Sequence, residues 1–472
     1  MPNPKKYCAI LIALAFCLLP LLLTQCKATR KTEKNKETVL PPEPTDISEN
    51  LPPTIPKPEP KLEPKPEPKP EAPAPEKIPE SEVTYIKPTL PKPTAPPPAK
   101  DIPFMLAADR INYYLPLLEN KRIALVVNQT STANGMHLVD ALLSVGLDLK
   151  KVFAPEHGFR GDADAGETVR DGKDQQTGLP IVSLYGKHKK PTSADLADID
   201  VVVFDIQDVG ARFYTYISTM HYVMEACAEN NKPLMILDRP NPNGHYVDGP
   251  LLNTAYKSFV GMHPIPIVHG LTVGELAQMI NGEKWLAGKM TCNLQVIPCL
   301  GYTHTYKYEL PIKPSPNLPN SKAIYLYPSL CLFEGTPVSV GRGTDLQFQV
   351  IGAPALRKLP YSFTPVSKPG AKTPPHQNTP CYGLDLSNMP TYQLQQSRQI
   401  NLAWLLDFYK AYPDKDKFFN ADLFFDKLAG GTQLRQQIIS GATESSIRQS
   451  WQADLKRYKQ MRKQYLLYPD FE

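Results

Sequence analysis

The chain has 472 residues, of which 42% are hydrophobic, and its formal net charge at pH 7 is only +5. This length can supply two folded domains once an N-terminal extension is set aside. Its basic residues are dispersed and form no stripe with interleaved aromatic residues, which argues against a nucleic-acid partner.

The first 26 residues have the pattern of an export signal. Two lysines precede an apolar run over residues 8–23, which is shorter than a comfortable membrane span. The run ends in Leu-Thr-Gln-Cys, which resembles a bacterial lipobox, so we predict a lipoprotein-type signal over residues 1–26 and lipid attachment at Cys26. Gln25 stands where a small residue is usual, which leaves ordinary signal cleavage or an uncleaved anchor as alternatives.

Residues 27–100 are rich in proline, lysine and glutamate and offer little that a core could bury. Such a segment forms an extended spacer of about 3 Å per residue. Behind a lipid anchor it would act as a disordered tether, so we predict a membrane-anchored protein of the cell envelope that faces the periplasm. A ligand for proline-recognising modules is the alternative.

Five of the eight cysteines lie in the folded part of the chain: Cys227, Cys292, Cys299, Cys331 and Cys381. Because five is odd, at least one has no partner within the chain. Cys292 and Cys299 flank a predicted strand that would hold them roughly 20 Å apart, too far for a disulfide. No cysteine or histidine spacing suggests a zinc site.

From residue 101 onward, strand and helix patterns alternate. The predicted strands cover residues 122–128, 151–154, 180–184, 200–204, 233–237 and 293–298. The predicted helices cover residues 104–118, 136–147, 217–230, 273–286, 402–412 and 444–466. This alternation predicts an α/β fold with a mainly parallel sheet over residues 101–305. The less regular residues 306–472 are predicted to form a second domain that covers the first.

Each of the first five predicted strands ends in polar residues and turn formers. The strand at 200–204 leads into Asp205, Gln207, Asp208 and Arg212 within eight residues. Since the carboxyl ends of parallel strands share one edge of the sheet, we expect these loops to converge on one crevice.

Several chemistries lack their motifs. No glycine-rich dinucleotide or Walker loop and no GxSxG elbow is present, so no cofactor and no serine nucleophile are predicted. Residues 162–167 resemble a calcium loop only faintly, and His157 and His269 have no metal-ligand spacing. We therefore predict no metal site.

The remaining side chains, carboxylates with Asn, Gln, Tyr and Arg, suit a sugar site. Cleavage of a glycosidic bond needs one acid to protonate the leaving oxygen and a second group at the anomeric carbon. Glu156 is the best candidate for the acid, because Pro155 stiffens its loop and Gly158 permits a sharp turn. The alternative is that Glu156 only caps or braces that loop.

Seven motifs, in this order and spacing, resemble the exo-β-N-acetylmuramidase family, formerly a domain of unknown function. They are FAPEHGFRG (153–161), SLYG (183–186), FDIQDVGARFYTY (204–216), LDRPNP (237–242), HGLTVGELA (269–277), SPN (315–317) and EGTPVSVGRGT (334–344). The resemblance runs from about Phe104 to the C-terminus. It implies a Rossmann-like N-terminal domain, a smaller mixed C-terminal domain and a site between them.

The resemblance also implies an activity, the exo-acting release of terminal N-acetylmuramic acid from peptidoglycan fragments, with Glu156 as a catalytic carboxylate. The second catalytic group stays open among Asp208, Asp205 and Glu334. A non-catalytic, peptidoglycan-binding envelope lipoprotein is the alternative function.

The expected substrate-binding residues are the polar side chains of these motifs: Asn128, His157, Arg160, Gln207, Arg212, Tyr214, Arg239, Asn241, Glu334 and Arg342. The lactyl carboxylate of the muramyl sugar needs a cation, and an arginine fork is its natural partner. We expect Arg212 first, since Gly210 and Ala211 leave its backbone room to turn inward.

Overall fold

The computed structural model describes residues 102–159 and 171–472. The predicted signal with Cys26, the predicted tether and Arg160 lie outside the described residues. Within the part that is described, every helix is too short or too polar to cross a lipid bilayer.

The described residues form twelve strands. In chain order they are β1 (Arg122–Val127), β2 (Thr132–Ala133), β3 (Met136–His137), β4 (Asp148–Ala154), β5 (Gly172–Lys173), β6 (Pro180–Ser183), β7 (Val201–Asp205), β8 (Leu234–Leu237), β9 (Leu294–Ile297), β10 (Val350–Ala353), β11 (Tyr361–Phe363) and β12 (Cys381–Asp385).

The same residues form eleven α-helices. They are α1 (Ile111–Leu118), α2 (Leu138–Ser144), α3 (Ser193–Leu196), α4 (Tyr216–Glu229), α5 (Val273–Gly282), α6 (Ser321–Leu330), α7 (Thr391–Ser397), α8 (Ala403–Ala411), α9 (Phe424–Ala429), α10 (Gln433–Ile439) and α11 (Glu444–Arg462).

The central sheet has the order β5-β6-β4-β1-β7-β8-β9. All neighbouring strands are parallel except the short edge strand β5, which runs antiparallel to β6. Without β5, the strands numbered along the chain stand in the order 3-2-1-4-5-6, which is the Rossmann order. The predicted fold class is therefore confirmed.

The middle strand β7 shows why this sheet forms. Its sequence, Val-Val-Val-Phe-Asp, is buried at every position between β1 and β8. Val202 and Phe204 pack into the core on one face of the sheet, and Val201 and Val203 pack into the core on the other. A strand covered on both faces has no need of alternating polar residues, so its apolar run is continuous.

The C-terminal half contributes a three-stranded antiparallel sheet, β10-β12-β11, and helices α6 to α11. One hydrophobic core runs from Phe204 and α4 into this half, where it includes Phe333 and Phe425. The predicted boundary between residues 305 and 306 stays a prediction, since this core extends across it.

Two predicted helices start later in the structure than their apolar periodicity suggests. The first begins at Ile111, because Met105 pairs through its backbone with Leu300. The second begins at Leu138, because the preceding two residues form β3 and His137 caps the helix. All five cysteines of the described residues are free and buried, so Cys292 and Cys299 are not joined.

Candidate active site

A cavity of about 1080 Å³ opens beyond the carboxyl ends of β4, β6 and β7. Residues of the C-terminal half also line it. Eight aromatic rings line it: Tyr185, Phe213, Tyr214, Tyr216, Phe259, Tyr327, Phe348 and Phe424. Its charged lining residues are Glu156, Lys189, Glu334, Arg342 and Lys372. Aromatic faces with a few charged groups suit a polar ring-shaped ligand.

A tight turn after β4 presents Glu156 to this cavity. The Gly158 N–H donates to the Pro155 carbonyl at 3.0 Å, which closes the turn. His157 and Gly158 both have left-handed backbone, with φ of +71° and +79°. A non-glycine residue with positive φ is uncommon, and such conformations cluster at functional sites. The sharp turn expected at Gly158 is thus present and begins one residue earlier.

Two hydroxyl groups lie against the Glu156 carboxylate. The Thr215 hydroxyl donates to Oε2 of Glu156 at 2.6 Å. The Tyr185 hydroxyl is its other neighbour: burial raises the pKa of Tyr185, and the Glu156 charge and hydrogen bond raise it further. Burial also raises the pKa of Tyr216, with Glu156 again adding to the effect. Glu156 is therefore oriented by the hydroxyl groups of Thr215 and Tyr185.

The C-terminal half contributes Glu334 and Arg342 to the lining of the cavity. Nε of Arg342 donates to Oε1 of Glu334 at 2.6 Å, and the guanidinium carbon lies 5.2 Å from the centroid of the Phe348 ring. Oε2 of Glu334 accepts from the Cys331 thiol at 3.4 Å. The Glu334 carboxylate holds Nε of Arg342, and the Phe348 ring covers one face of the guanidinium. The two terminal nitrogens of Arg342 can therefore still donate together to a planar anion such as a carboxylate.

The Ser-Pro-Asn motif at residues 315–317 connects several segments that line the cavity. Ser315 lies 3.3 Å from Nε2 of His157, and the Asn317 amide donates to the Gly370 carbonyl at 2.8 Å. The Tyr214 hydroxyl donates to the Pro314 carbonyl at 2.8 Å. Through these bonds the segment after residue 313 is joined to both the β4 turn and the β7 loop.

Asp205 and Arg239 lie outside the cavity. They form a buried two-pronged ion pair, with Arg239 nitrogens 2.5 and 2.8 Å from the two oxygens of Asp205. Arg239 also donates to the Thr132 carbonyl. The pair joins the end of β7 to the loop after β8 and so braces this edge of the sheet. Both residues were expected in the substrate site, and the structure places them outside the cavity lining.

Asp208 is also buried away from the cavity lining. Its Oδ2 accepts from the Gly210 N–H at 2.7 Å, and Nε2 of His269 stands 3.9 Å away. Burial raises the pKa of Asp208 to about 7 and lowers the pKa of His269 to about 3. Of the three candidates for the second catalytic group, only Glu334 therefore lines the cavity.

Arg212 is fully buried and makes only backbone contacts. Its terminal nitrogens donate to the carbonyls of Pro250, Ile265 and Leu428 at 2.7, 2.7 and 2.8 Å. Burial lowers the pKa of Arg212 to about 9. This geometry corrects the expectation that Arg212 turns into the site, because its terminal nitrogens are bonded to backbone carbonyls. One of these carbonyls, at Leu428, belongs to the C-terminal half.

Three predicted amide residues also serve the backbone of their loops. Asn128 accepts from the Thr130 N–H and hydroxyl, Gln207 donates to the Asp208 and Pro240 carbonyls, and Asn241 donates to the Leu271 carbonyl. The loops after β1 and β8 thus share the expected edge of the sheet but do not border the cavity. Glu156, His157, Tyr214, Glu334 and Arg342 are the predicted residues that do.

The sequence reasoning missed Tyr185, Thr215 and Phe348 as residues of the site. Tyr185 and Thr215 lie in motifs that were recognised, and their hydroxyl groups were the available signal. The described residues contain no group of three or more metal-ligating side chains.

Strand order and cavity define a Rossmann-like α/β protein with a carboxylate at the carboxyl edge of its sheet. The chain belongs to the exo-β-N-acetylmuramidase NamZ family. The family's N-terminal profile matches residues 123–322, and its C-terminal profile matches residues 325–468.

Similar proteins agree with this placement. Over 373 residues the chain is 39% identical to the peptidoglycan β-N-acetylmuramidase NamZ of Bacillus subtilis (strain 168), across 75% of this chain and 89% of the relative. Two crystal structures of DUF1343 family proteins from Bacteroides fragilis NCTC 9343 are similar. One is 49% identical with a TM-score of 0.72, covering 78% of this chain and 99% of its own. The other is 31% identical with a TM-score of 0.63, covering 77% and 99%.

Proposed function

We propose that this protein is an exo-acting glycoside hydrolase that releases terminal N-acetylmuramic acid from peptidoglycan fragments. The observation that supports this most directly is Glu156, a carboxylate on the wall of an aromatic cavity with a hydroxyl donor at 2.6 Å. The name and identity of the Bacillus subtilis relative support the same substrate class.

In this mechanism Glu156 donates its proton to the glycosidic oxygen as the bond from that oxygen to the anomeric carbon breaks. A water oxygen forms the new bond to the anomeric carbon and releases a proton, which restores Glu156. A positioned acid of this kind contributes about 10²–10⁴ in rate. Thr215 and Tyr185 hold the carboxyl group in one orientation while the aromatic rings pack against the sugar. Glu334 is the other lining carboxylate of the described cavity.

Arg342 takes the role first expected of Arg212 and binds the lactyl carboxylate. Glu334 occupies Nε of Arg342, which leaves the terminal nitrogens for a planar anion. Both oxygens of Glu334 have donors, so its main task in this proposal is to hold Arg342. A cation at this position attracts the anionic sugar and offsets its repulsion by the carboxylates of Glu156 and Glu334.

A chromogenic N-acetylmuramide assay with purified protein tests the proposal. Release of the chromophore, with a much slower reaction on the matching N-acetylglucosaminide, is the expected result. Binding of muramyl saccharides with no hydrolysis would instead identify a non-catalytic wall-binding protein.

We also propose that the chain is a lipoprotein of the cell envelope, held through Cys26 and the proline-rich tether. The apolar run before Cys26 and the lipobox-like residues support this. Labelling with palmitate should therefore depend on Cys26, and Cys26→Ser should move the protein to the soluble fraction. An unlabelled protein that stays in the membrane fraction would point to an uncleaved anchor.

A further inference from the structure

A second, smaller groove of about 120 Å³ lies apart from the cavity and shares none of its lining residues. Three segments form it: the loop after β8, residues 305–307 and helix α7 with its C-cap residue. The lining residues are Pro242, His245, Thr305, Tyr306, Lys307, Tyr392, Gln395, Gln396 and Arg398.

Exposed aromatic rings border this groove. Tyr392 is 55% exposed and Tyr306 is 40% exposed, and both are among the most exposed large hydrophobic residues of the described chain. The Tyr306 ring stacks on Phe104 with centroids 4.8 Å apart, which limits its motion. A fixed, exposed ring beside side-chain amides is a suitable surface for a sugar face.

The groove is also positively charged. Lys307 and Arg398 line it, and no carboxylate does. The described residues offer neither cation an ion-pair partner. Burial lowers the pKa of His245 between them, and the charges of Arg398 and Lys307 lower it further. The described residues therefore leave the positive charge of the groove uncompensated. An anionic ligand would neutralise it.

We propose that this groove is a second, non-catalytic site that binds anionic muramyl glycan on the surface of the enzyme. That the glycan is a muramyl glycan rests on the proposed function. That the ligand is a sugar with negative charge rests on the two exposed tyrosines and the two cations of the groove. A weak second contact would keep a polymeric strand close to the cavity, because a second binding event on a linked ligand is intramolecular.

Binding to insoluble peptidoglycan tests this site directly. The full chain is compared with the double variant Tyr392→Ala/Arg398→Ala, each in a Glu156→Gln background so that the polymer is not degraded. The matched control is Tyr113→Ala/Arg357→Ala, which removes a 57% exposed tyrosine and an exposed arginine that do not line the groove.

We expect the groove variant to bind the polymer about tenfold more weakly, the effect of losing one charge-assisted contact. The control should bind like the parent. With Glu156 restored, both double variants should hydrolyse the small chromogenic muramide at the parent rate, since that substrate reaches only the cavity.

Equal polymer binding by the two double variants would overturn the proposal. If the parent fails to hydrolyse the muramide, the proposed function fails, whereas the difference in polymer binding would still report on the groove.

Discussion

The hydroxyl of Thr215 donates a hydrogen bond of 2.6 Å to the Glu156 carboxylate, which ties the residue before α4 to the turn after β4. Thr215 makes no side-chain cap with α4, so its hydroxyl is committed to Glu156 and not to the helix. The Thr215 hydroxyl therefore holds the Glu156 carboxylate in one orientation.

Thr215→Val should lower kcat on the chromogenic muramide by about tenfold or more, because a hydrogen bond to a charged group is lost. KM should change little, since the contact is to the acid and not to the sugar. Thr215→Ser should restore most of kcat. A Val variant with full kcat, or equal losses in Val and Ser, would show that the hydroxyl is not needed.

Glu156→Gln should abolish hydrolysis, by about 10²–10⁴ in rate, while leaving thermal unfolding unchanged. The amide keeps the shape of the side chain and can still accept from Thr215, but it cannot deliver a proton. Activity near that of the parent in a normally folded variant would remove Glu156 from the mechanism.

Arg342→Ala should narrow the preference for the N-acetylmuramide over the N-acetylglucosaminide by roughly ten- to a hundredfold in kcat/KM. The two substrates differ in the lactyl carboxylate, so only the muramide loses a charged partner. Glu334→Gln should produce a smaller change in the same direction, because it loosens the arginine without removing it. An unchanged ratio in Arg342→Ala would assign lactyl recognition elsewhere, with Arg160 the next to test.

Arg212→Ala should destabilise the fold by on the order of 3 kcal/mol or more, since it removes the three hydrogen bonds of a buried arginine to the carbonyls of Pro250, Ile265 and Leu428. Chemical denaturation measures this directly. The folded fraction should keep the parent's ratio of activities on the two substrates. A stable variant with an altered ratio would return Arg212 to the site.

Asp208→Asn should make stability less dependent on pH. Burial raises the folded-state pKa of Asp208 to about 7, above its unfolded value of roughly 3.9. Its contribution is fully present below the unfolded pKa and is lost as pH rises through 7. The melting temperature of the variant relative to the parent should therefore increase between pH 5 and pH 8. A constant difference across that range would contradict a protonated Asp208.

The strands and the edge that bears the site follow from local patterns in the sequence. The Val-Val-Val-Phe run of β7 predicts a buried strand without information from distant residues, and the glycine of the Pro-Glu-His-Gly segment predicts a sharp turn. Arg212 could not be assigned in this way. Its acceptor Leu428 lies 216 residues further along the chain, so its burial depends on how the C-terminal half packs.

The position of Asp205 also could not be predicted from the sequence around it. An aspartate at the end of a parallel strand can face a ligand or a neighbouring loop. Its orientation depends on which basic side chain the fold places beside it. Arg239, 34 residues later, occupies both of its oxygens. The motifs identify the polar residues. Which of them line the cavity and which brace the loops depends on the hydrogen-bond partner of each in the folded protein.

Glu156, the proposed proton donor, and Arg342, the proposed partner of the lactyl carboxylate, line the same cavity although they lie far apart in the sequence. Substitutions around residue 342 can retune which sugar is accepted while the acid and its hydroxyl donor stay untouched. Under the proposed function, a change of substrate choice would then need changes only in the C-terminal half of the chain. Loss of that half would remove Glu334, Arg342 and three of the aromatic rings that line the cavity.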